Sequence, residues 1–304
     1  MEIRIISTES LGVRGMCVLV ETDRRRILID PGIALGLVRH KLQPHPSQVE
    51  RGREVRNDII DAFRGATDIV FSHYHGDHVP LVEANPYQLP LSWVSGALRN
   101  RRLWGLDAGH ANQVMSSRAK DIEEAAGCAI RAAEDVTDGE LRFSVAVPHG
   151  TCAAEENKVV MTRIEESGRV FVHASDIQLT ERDPVRKIID WRPTEVFVSG
   201  PPLHLEKISL EMRSRAWENA LALAEAVDTL IIDHHLLRSW EGVEWLDELR
   251  EKAHRPVVCA ADYNNVPRLF LEADRTRLYE ENPVPAGWHE AYGRQWRESR
   301  SGGR

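Results

Sequence analysis

The sequence has few cysteines and no CxxC motif: its four cysteines, Cys17, Cys128, Cys152 and Cys259, are far apart along the chain. A disulfide framework is not expected in a chain of this length, so we interpret all four as free thiols. No stretch reaches the roughly 18 consecutive apolar residues of a membrane span. The first residues, MEIRIISTES, include acids and no long apolar run, unlike a signal peptide. These absences predict a cytoplasmic protein that does not bind membranes.

An excess of positive charge is also missing, since the formal net charge is −8. Proteins that bind a phosphate backbone usually carry a basic balance or a basic stripe, and neither is evident here. The composition therefore gives no strong signal for nucleic-acid binding, but it is compatible with a small anionic substrate, including one of nucleotide type. It does not predict an oligomeric state.

Short runs rich in Val and Ile recur along the chain and are bounded by turn residues, which is typical of β-strands. Apolar residues at helical spacing lie between some of these runs, at 46–65, 205–227 and 245–253. We therefore expect a single α/β domain over 1–304, with sheets covered by helices. Within it we expect a helical insertion at 82–139 that could cover a site, and a frayed tail at about 297–304.

One short segment, FSHYHGDHVP, contains His73, His75, Asp77 and His78 within six residues, directly after an apolar run. An extended backbone would point His73 and His75 to the same side. The glycine that follows lets the chain turn before Asp77 and His78. Imidazole and carboxylate groups suit zinc, iron and manganese. The spacing therefore indicates a metal site.

The pattern HxHxDH resembles the signature of the metallo-β-lactamase superfamily, whose fold is a four-layer αββα sandwich with the metal site at one edge. The stretches ESLGVRGMCVLVET, ILIDPG, VSGPP and DHHLLR are similar to those of a group of predicted metal-dependent hydrolases that is common in archaea. The resemblance covers about residues 1–265. It implies a fold and a metal site, but it does not supply a substrate.

The resemblance also implies further metal ligands, each placed after a later strand. Candidates occur in the required order: His149 after SVAVP, Asp176 after RVFVHAS, and His234 and His235 after TLIID. It implies two divalent ions, with zinc expected first and manganese or iron as alternatives. The first ion would be held by His73, His75 and His149. The second would be held by Asp77, His78 and either His234 or His235, with His235 preferred. Asp176 would bridge both ions.

Other residues are expected to support this site. Asp30 in ILIDPG and Asp233 in DHH would hydrogen-bond to the ligands rather than bind metal themselves. The loop between the first two strands reaches the site edge in the superfamily, which makes Ser10 and Arg14 substrate candidates, with Arg14 suited to an anionic group.

Three residues are candidates for proton handling. Asp77 could orient the attacking water as well as bind metal. His204 in SGPPLH and Tyr263 in AADYNN both follow strands, and either could donate a proton to a leaving group.

The resemblance implies a hydrolase in which a hydroxide between two metal ions attacks an ester-type bond, with phosphodiesters, thioesters and lactones as candidate substrates. The fold does not fix the reaction. One alternative is a di-iron protein for redox or oxygen chemistry. Another is a non-catalytic binding protein, but degenerate members usually lose ligands, and here every ligand position has a candidate.

Overall fold

A computed structural model describes the backbone of residues 1–148, 150 and 158–301. Its first sheet contains six strands that lie side by side in chain order. The first three strands are antiparallel, and the third to sixth are parallel. The strands are β1 (Glu2–Ser7), β2 (Cys17–Glu21), β3 (Arg26–Ile29), β4 (Asp68–Phe71), β5 (Arg102–Gly105) and β6 (Arg131–Ala132).

The second sheet contains seven strands in the order β15-β14-β13-β12-β11-β8-β7, and the four from β12 to β15 are parallel. Its strands are β7 (Thr137–Asp138), β8 (Leu141–Phe143), β11 (Thr162–Glu166), β12 (Arg169–Ala174), β13 (Glu195–Val198), β14 (Thr229–Ile232) and β15 (Val257–Val258). A separate antiparallel pair is formed by β9 (Val147–Pro148) and β10 (Lys158–Val159).

Helices cover the outer faces of both sheets. One apolar cluster joins α1 and α3 to the first sheet, through residues such as Val55, Ile59 and Ile122. A larger cluster fills the space between the sheets and extends under α4, α5 and α6. The helices are α1 (Pro46–Phe63), α2 (Ser95–Leu98), α3 (Gln113–Ala126), α4 (Arg182–Asp190), α5 (Leu210–Ala226), α6 (Trp240–Lys252), α7 (Ala260–Tyr263), α8 (Arg275–Glu281) and α9 (Trp288–Ser301). The predicted four-layer αββα sandwich is thus confirmed.

Two regions differ from expectation. The stretch 82–139 is not a purely helical insertion, because β5 and β6 within it extend the first sheet in parallel with β4. The C-terminal stretch does not fray from residue 297, since α9 continues to Ser301. This helix is fixed by Trp296, which is buried and packs against Trp93 and the Arg56 guanidinium.

The arrangement of parallel strands determines where polar side chains gather. The carboxyl ends of β3 and β4 in the first sheet, and of β12 and β14 in the second, lead into loops that meet at one edge of the sandwich. Among the described helices, none is long and apolar enough to cross a membrane.

Candidate metal centre

The candidate ligands within the described ranges lie directly after strands at this edge. His73, His75, Asp77 and His78 follow β4, Asp176 follows β12, and His234 and His235 follow β14. The backbone turns sharply at several of these strand ends: φ is 46° at Asp30, 54° at Asp176 and 22° at His234. Non-glycine residues rarely adopt positive φ, and such strain tends to occur at functional sites, where the surrounding structure fixes it.

A first group of ligand atoms surrounds one oxygen of Asp176. His73 Nε2 lies 3.1 Å from His75 Nδ1 and 3.4 Å from Asp176 Oδ2. His235 Nε2 approaches the same carboxylate oxygen at 3.8 Å. The predicted ligand His149 lies outside the described residues. The three atoms of His73, His75 and Asp176 are close enough together to bind one ion.

A second group surrounds the other oxygen of Asp176. His78 Nε2 is 3.4 Å and His234 Nε2 is 3.5 Å from Asp176 Oδ1. Asp77 completes the group, with Oδ2 3.6 Å from His234 Nε2 and Oδ1 4.0 Å from His78 Nε2. One carboxylate therefore lies between two separate sets of donors.

These donors fit divalent metal ions. A tetrahedral ion with bonds of about 2.0–2.2 Å separates its ligand atoms by roughly 3.3–3.6 Å, close to the spacings found in both groups. His78 Nε2 is buried and has no hydrogen-bond partner within the described part of the chain. Burial lowers the pKa of His78, but the carboxylates of Asp176, Asp77 and Asp30 outweigh burial and raise it to about 9. The same negative field favours a metal cation at this position.

His234, rather than His235, lies beside Asp77 and His78, although the sequence favoured His235. Nη2 of Arg238 lies 2.8 Å from His234 Nε2 and 3.4 Å from Nδ1. An atom close to both ring nitrogens lies over the face of the ring, so the in-plane lone pair of Nε2 is left to face the carboxylates. Nδ1 of His234 lies 3.3 Å from the Gly15 N–H. Burial, Arg238 and His235 lower the pKa of His234 well below its usual value, which keeps the ring neutral, as a metal ligand must be.

Asp30, which the sequence predicted to support the ligands, contacts His78 and the serines that precede two candidate ligands. Its carboxylate accepts hydrogen bonds from the Ser72 N–H at 2.7 Å and from the hydroxyls of Ser72 and Ser175 at 2.6 Å each. It also lies 3.0 Å from Nδ1 of His78. Burial raises the pKa of Asp30, but His78, His173 and His73 lower it to about 2 overall. A carboxylate on Nδ1 fixes the tautomer that leaves Nε2 free for a metal.

Asp233 and Ser10 hold the surrounding loops together. Asp233 accepts hydrogen bonds from the Thr8 hydroxyl, the Ser10 N–H and the Ala260 N–H at 2.9–3.0 Å. The Ser10 hydroxyl accepts a hydrogen bond from the Ala261 N–H at 2.9 Å, and Ser10 is fully buried. Because its side chain faces the protein interior, Ser10 does not face a substrate, contrary to the interpretation from sequence.

Arg14 and His204 are both influenced by charges around the second ligand group, since Asp77 acts on Arg14 and Arg238 acts on His204. Nη2 of Arg14 is 2.7 Å from Glu272 Oε1, and about a quarter of the Arg14 side chain is exposed. Burial, followed by the positive charges of Arg238, Arg39 and Arg14, lowers the pKa of His204 to about 3. His204 is thus neutral at neutral pH and does not carry a proton ready for donation, which weakens its assignment as a general acid.

Tyr263 lies at the other end of the second sheet. Its hydroxyl donates to Glu195 at 3.0 Å and lies 3.4 Å from Arg169. Both partners are at the starts of their strands, β13 and β12, whereas the ligands follow strand ends. The structure therefore does not bring Tyr263 to the candidate metal centre, and the predicted proton-donor role is not possible from this position.

Several residues at the site were not singled out from the sequence. Ser72 and Ser175 each directly precede a candidate ligand, and this position could have indicated their role. Arg238 follows His234 by four residues, which suggests proximity only once the turn after β14 is known. Arg118 of α3 donates to the Tyr74 carbonyl at 2.9 Å, so the region 82–139 does contact the HYHGDH loop.

The chain is similar to solved structures of hydrolases. An isothiocyanate hydrolase from Delia radicum gut bacteria matches with a TM-score of 0.50 and 14% identity, over 85% of this chain and 95% of that one. A metal-dependent hydrolase of the β-lactamase superfamily has a TM-score of 0.46, 14% identity, and coverage of 84% and 94%. Two face-to-face sheets between helix layers, with the HxHxDH loop at one edge, define the metallo-β-lactamase fold.

No family model matches the sequence. Over 292 residues, however, the chain is 46% identical to a UPF0282 protein of Methanosarcina mazei, with 96% of both chains covered. A UPF0282 protein of Korarchaeum cryptofilum is 32% identical over 312 residues, covering 98% of this chain and 99% of its own. The chain therefore belongs to the UPF0282 family, which confirms the archaeal group that the sequence resembles.

Proposed function

We propose that this protein is a binuclear metal-dependent hydrolase, formed by a single domain and acting on an ester-type bond of a small anionic substrate in the cytoplasm. The observation that carries the proposal is the position of Asp176, whose two oxygens face separate sets of donors, His73 and His75 on one side, and His78 with His234 on the other. Two divalent ions, zinc in the first instance, would lower the pKa of a water molecule held between them and supply a nucleophile at neutral pH.

The chain's own residues would then orient and exclude water. Asp77 Oδ2 lies 3.6 Å from His234 Nε2 and 3.7 Å from Arg238 Nη2, and this carboxylate would accept a hydrogen bond from the attacking water. His73, His78 and Asp176 are almost fully buried, so these donors are shielded from bulk water. Electrostatic interactions are stronger in such an environment than in bulk water. The candidate substrates remain phosphodiesters, thioesters and lactones.

The test is metal content per chain, measured by elemental analysis on protein purified without chelators or a histidine tag. About two zinc or manganese ions per chain support the proposal, and a substrate screen then follows. Two iron ions per chain, with a coloured protein, would favour redox or oxygen chemistry instead. No ion after reconstitution would exclude the proposed metal centre.

Matched variants test the assignment of His234. His234→Ala should reduce the content to about one ion per chain, whereas His235→Ala should retain two. The opposite result would make His235 the ligand, as the sequence alone suggested. Circular dichroism of both variants would show whether the fold is intact.

A further inference from the structure

Three arginines converge beside the second ligand group, although they come from loops far apart in the sequence. Arg14 lies in the loop after β1, Arg39 in the loop after β3, and Arg238 in the turn after β14. Two buried glutamates hold them together. Arg238 Nε donates to Glu9 Oε1 at 2.8 Å, and Arg14 Nη2 donates to Glu272 Oε1 at 2.7 Å.

The same two glutamates are shared by further guanidinium groups. Arg39 Nη1 lies 3.7 Å from Glu272 Oε1, and Arg14 Nε lies 3.8 Å from Glu9 Oε1. Arg275 donates to the other oxygen of Glu272. Four guanidiniums therefore face two glutamates, and Asp77 lies 3.7 Å from Arg238, which leaves one positive charge in excess of these three carboxylates. Uncompensated charge away from bulk water is costly, and a bound anion would offset that cost.

Some of these guanidinium groups still have hydrogen-bond donors to offer. Within the described residues, the guanidinium of Arg39 makes one hydrogen bond, from Nε to His40 Nε2 at 3.3 Å. Nε of Arg14 is buried and lacks an acceptor in the described ranges. The three side chains keep between 11% and 24% of their surface exposed, so a small molecule can reach them.

The arginine cluster is also closely packed around Gly36. A Cβ atom on Gly36 would lie 2.2 Å from Arg14 Nη2 and 2.8 Å from Glu272 Oε1. The loop after β3 therefore needs glycine at this position to let Arg14 and Glu272 meet. Burial lowers the pKa of Arg39, the carboxylates of Glu272 and Glu9 oppose this shift, and the charges of Arg14 and Arg238 add a smaller lowering effect.

From this geometry we infer that Arg14, Arg39 and Arg238 bind an oxyanion of the substrate, a phosphate or carboxylate group, directly beside the metal centre. The inference rests on the proposed function and narrows its substrate class. Nη2 of Arg238 is 3.7 Å from Asp77 Oδ2, so the anionic group lies next to the bond that the metal centre would cleave. Guanidinium groups match the planar, two-pronged geometry of carboxylate and phosphate oxygens. A neutral ester would leave the excess positive charge of the cluster unbalanced and would bind weakly.

The experiment is a calorimetric titration of metal-loaded, desalted protein with inorganic phosphate, and separately with succinate, at constant ionic strength. Arg39→Gln removes a guanidinium whose ion pair with Glu272 is long, at 3.7 Å, and it should raise the Kd for the preferred probe roughly tenfold. Arg163→Gln is the matched control, because its side chain is 16% exposed, close to the 14% of Arg39, and it lies on β11 beside Glu165. It should leave the Kd unchanged.

Arg238→Lys is the second variant, since it keeps the charge but loses the two-pronged donor, and it should also weaken binding. The probe that binds more tightly to the wild-type protein identifies the group as phosphate or carboxylate. Wild-type affinity in both variants, or no binding of either probe to the wild-type protein, would overturn the inference. Metal content is measured on every sample. Absence of ions would count against the proposed function, whereas lack of anion binding in protein that contains its ions would count only against the arginine site.

Discussion

The carboxylate of Asp30 links the two sheets through hydrogen bonds. It receives hydrogen bonds from residues after β4 and after β12, and it contacts the ring nitrogen of His78 that faces away from the candidate ion. Supporting carboxylates of this kind typically contribute a factor of 10–100 in metal affinity. We therefore predict that Asp30→Asn weakens metal binding by roughly this factor, as measured by competition with a chromogenic chelator.

Asp68 provides the control for this prediction. It is also a fully buried aspartate of the first sheet, but it is bound to Arg102, Trp104 and Thr67, at the start of β4. Asp68→Asn should destabilise the fold while metal affinity in the folded protein stays near the wild-type value. Equal loss of affinity in both variants would show that Asp30 acts only through stability.

Glu272 gives a prediction about pH. Burial raises its pKa, but Arg14, Arg275 and Arg39 lower it overall from the usual 4.5 to about 2. Its ionisation therefore stabilises the folded state fully above about pH 4.5, and this contribution, up to roughly 3 kcal/mol, is lost as the pH falls towards 2. Glu272→Gln should lower the free energy of unfolding most at pH 6–8. The difference from wild type, measured by urea denaturation, should shrink below pH 4.5; an equal difference at pH 3 and pH 7 would contradict this origin.

At the scale of elements, the loops after β3 and β4 pack backbone against backbone. A Cβ atom on Gly32 would lie 2.3 Å from the carbonyl carbon of His78 and from the amide nitrogen of Val79. Neither backbone atom can move away without shifting the ligand loop. We predict that Gly32→Ala lowers the free energy of unfolding by about 2–3 kcal/mol and weakens metal binding. Gly96→Ala, where no atom lies within 4 Å of the added carbon, should do neither.

The candidate ligands could be found from the sequence because their positions depend on local order. A strand followed by HYHGDH places four side chains at one strand end, and parallel strands bring the other ends to the same edge. The choice between His234 and His235 could not be made in this way. It depends on the turn at His234, where φ is 22°, and neighbouring residues at such a turn point in different directions.

Other errors came from elements whose direction is set by tertiary packing. Tyr263 follows β15, as a site residue should, but α7 carries it back towards Glu195 at the opposite end of the sheet. Arg39 and Glu272 reach the site only through contacts between loops more than 200 residues apart in the sequence. Neither periodicity nor spacing contains that information, so the arginine cluster could be recognised only in the folded chain.

At the scale of the whole molecule, the two sheets meet along a continuous apolar interior, and the candidate metal centre closes one edge of it. Four of its histidine and aspartate side chains, His73, His78, Asp176 and His234, are almost completely buried. A cation held by these donors would link residues that follow β4 in the first sheet to residues that follow β12 and β14 in the second. Metal binding should therefore stabilise the entire sandwich and not only the loops that hold the ligands.

We predict that removal of metal with a chelator lowers the midpoint of thermal unfolding in one cooperative transition. A ligand that binds only the folded state contributes about 4 kcal/mol when its free concentration is 1000 times its Kd. Addition of zinc should restore the midpoint, and the midpoint should rise with free zinc concentration, as measured by differential scanning calorimetry. Asp30→Asn should need more zinc for the same rise. A midpoint that does not respond to chelator or zinc, in protein shown to lose and regain its ions, would mean that the site contributes nothing to joining the sheets.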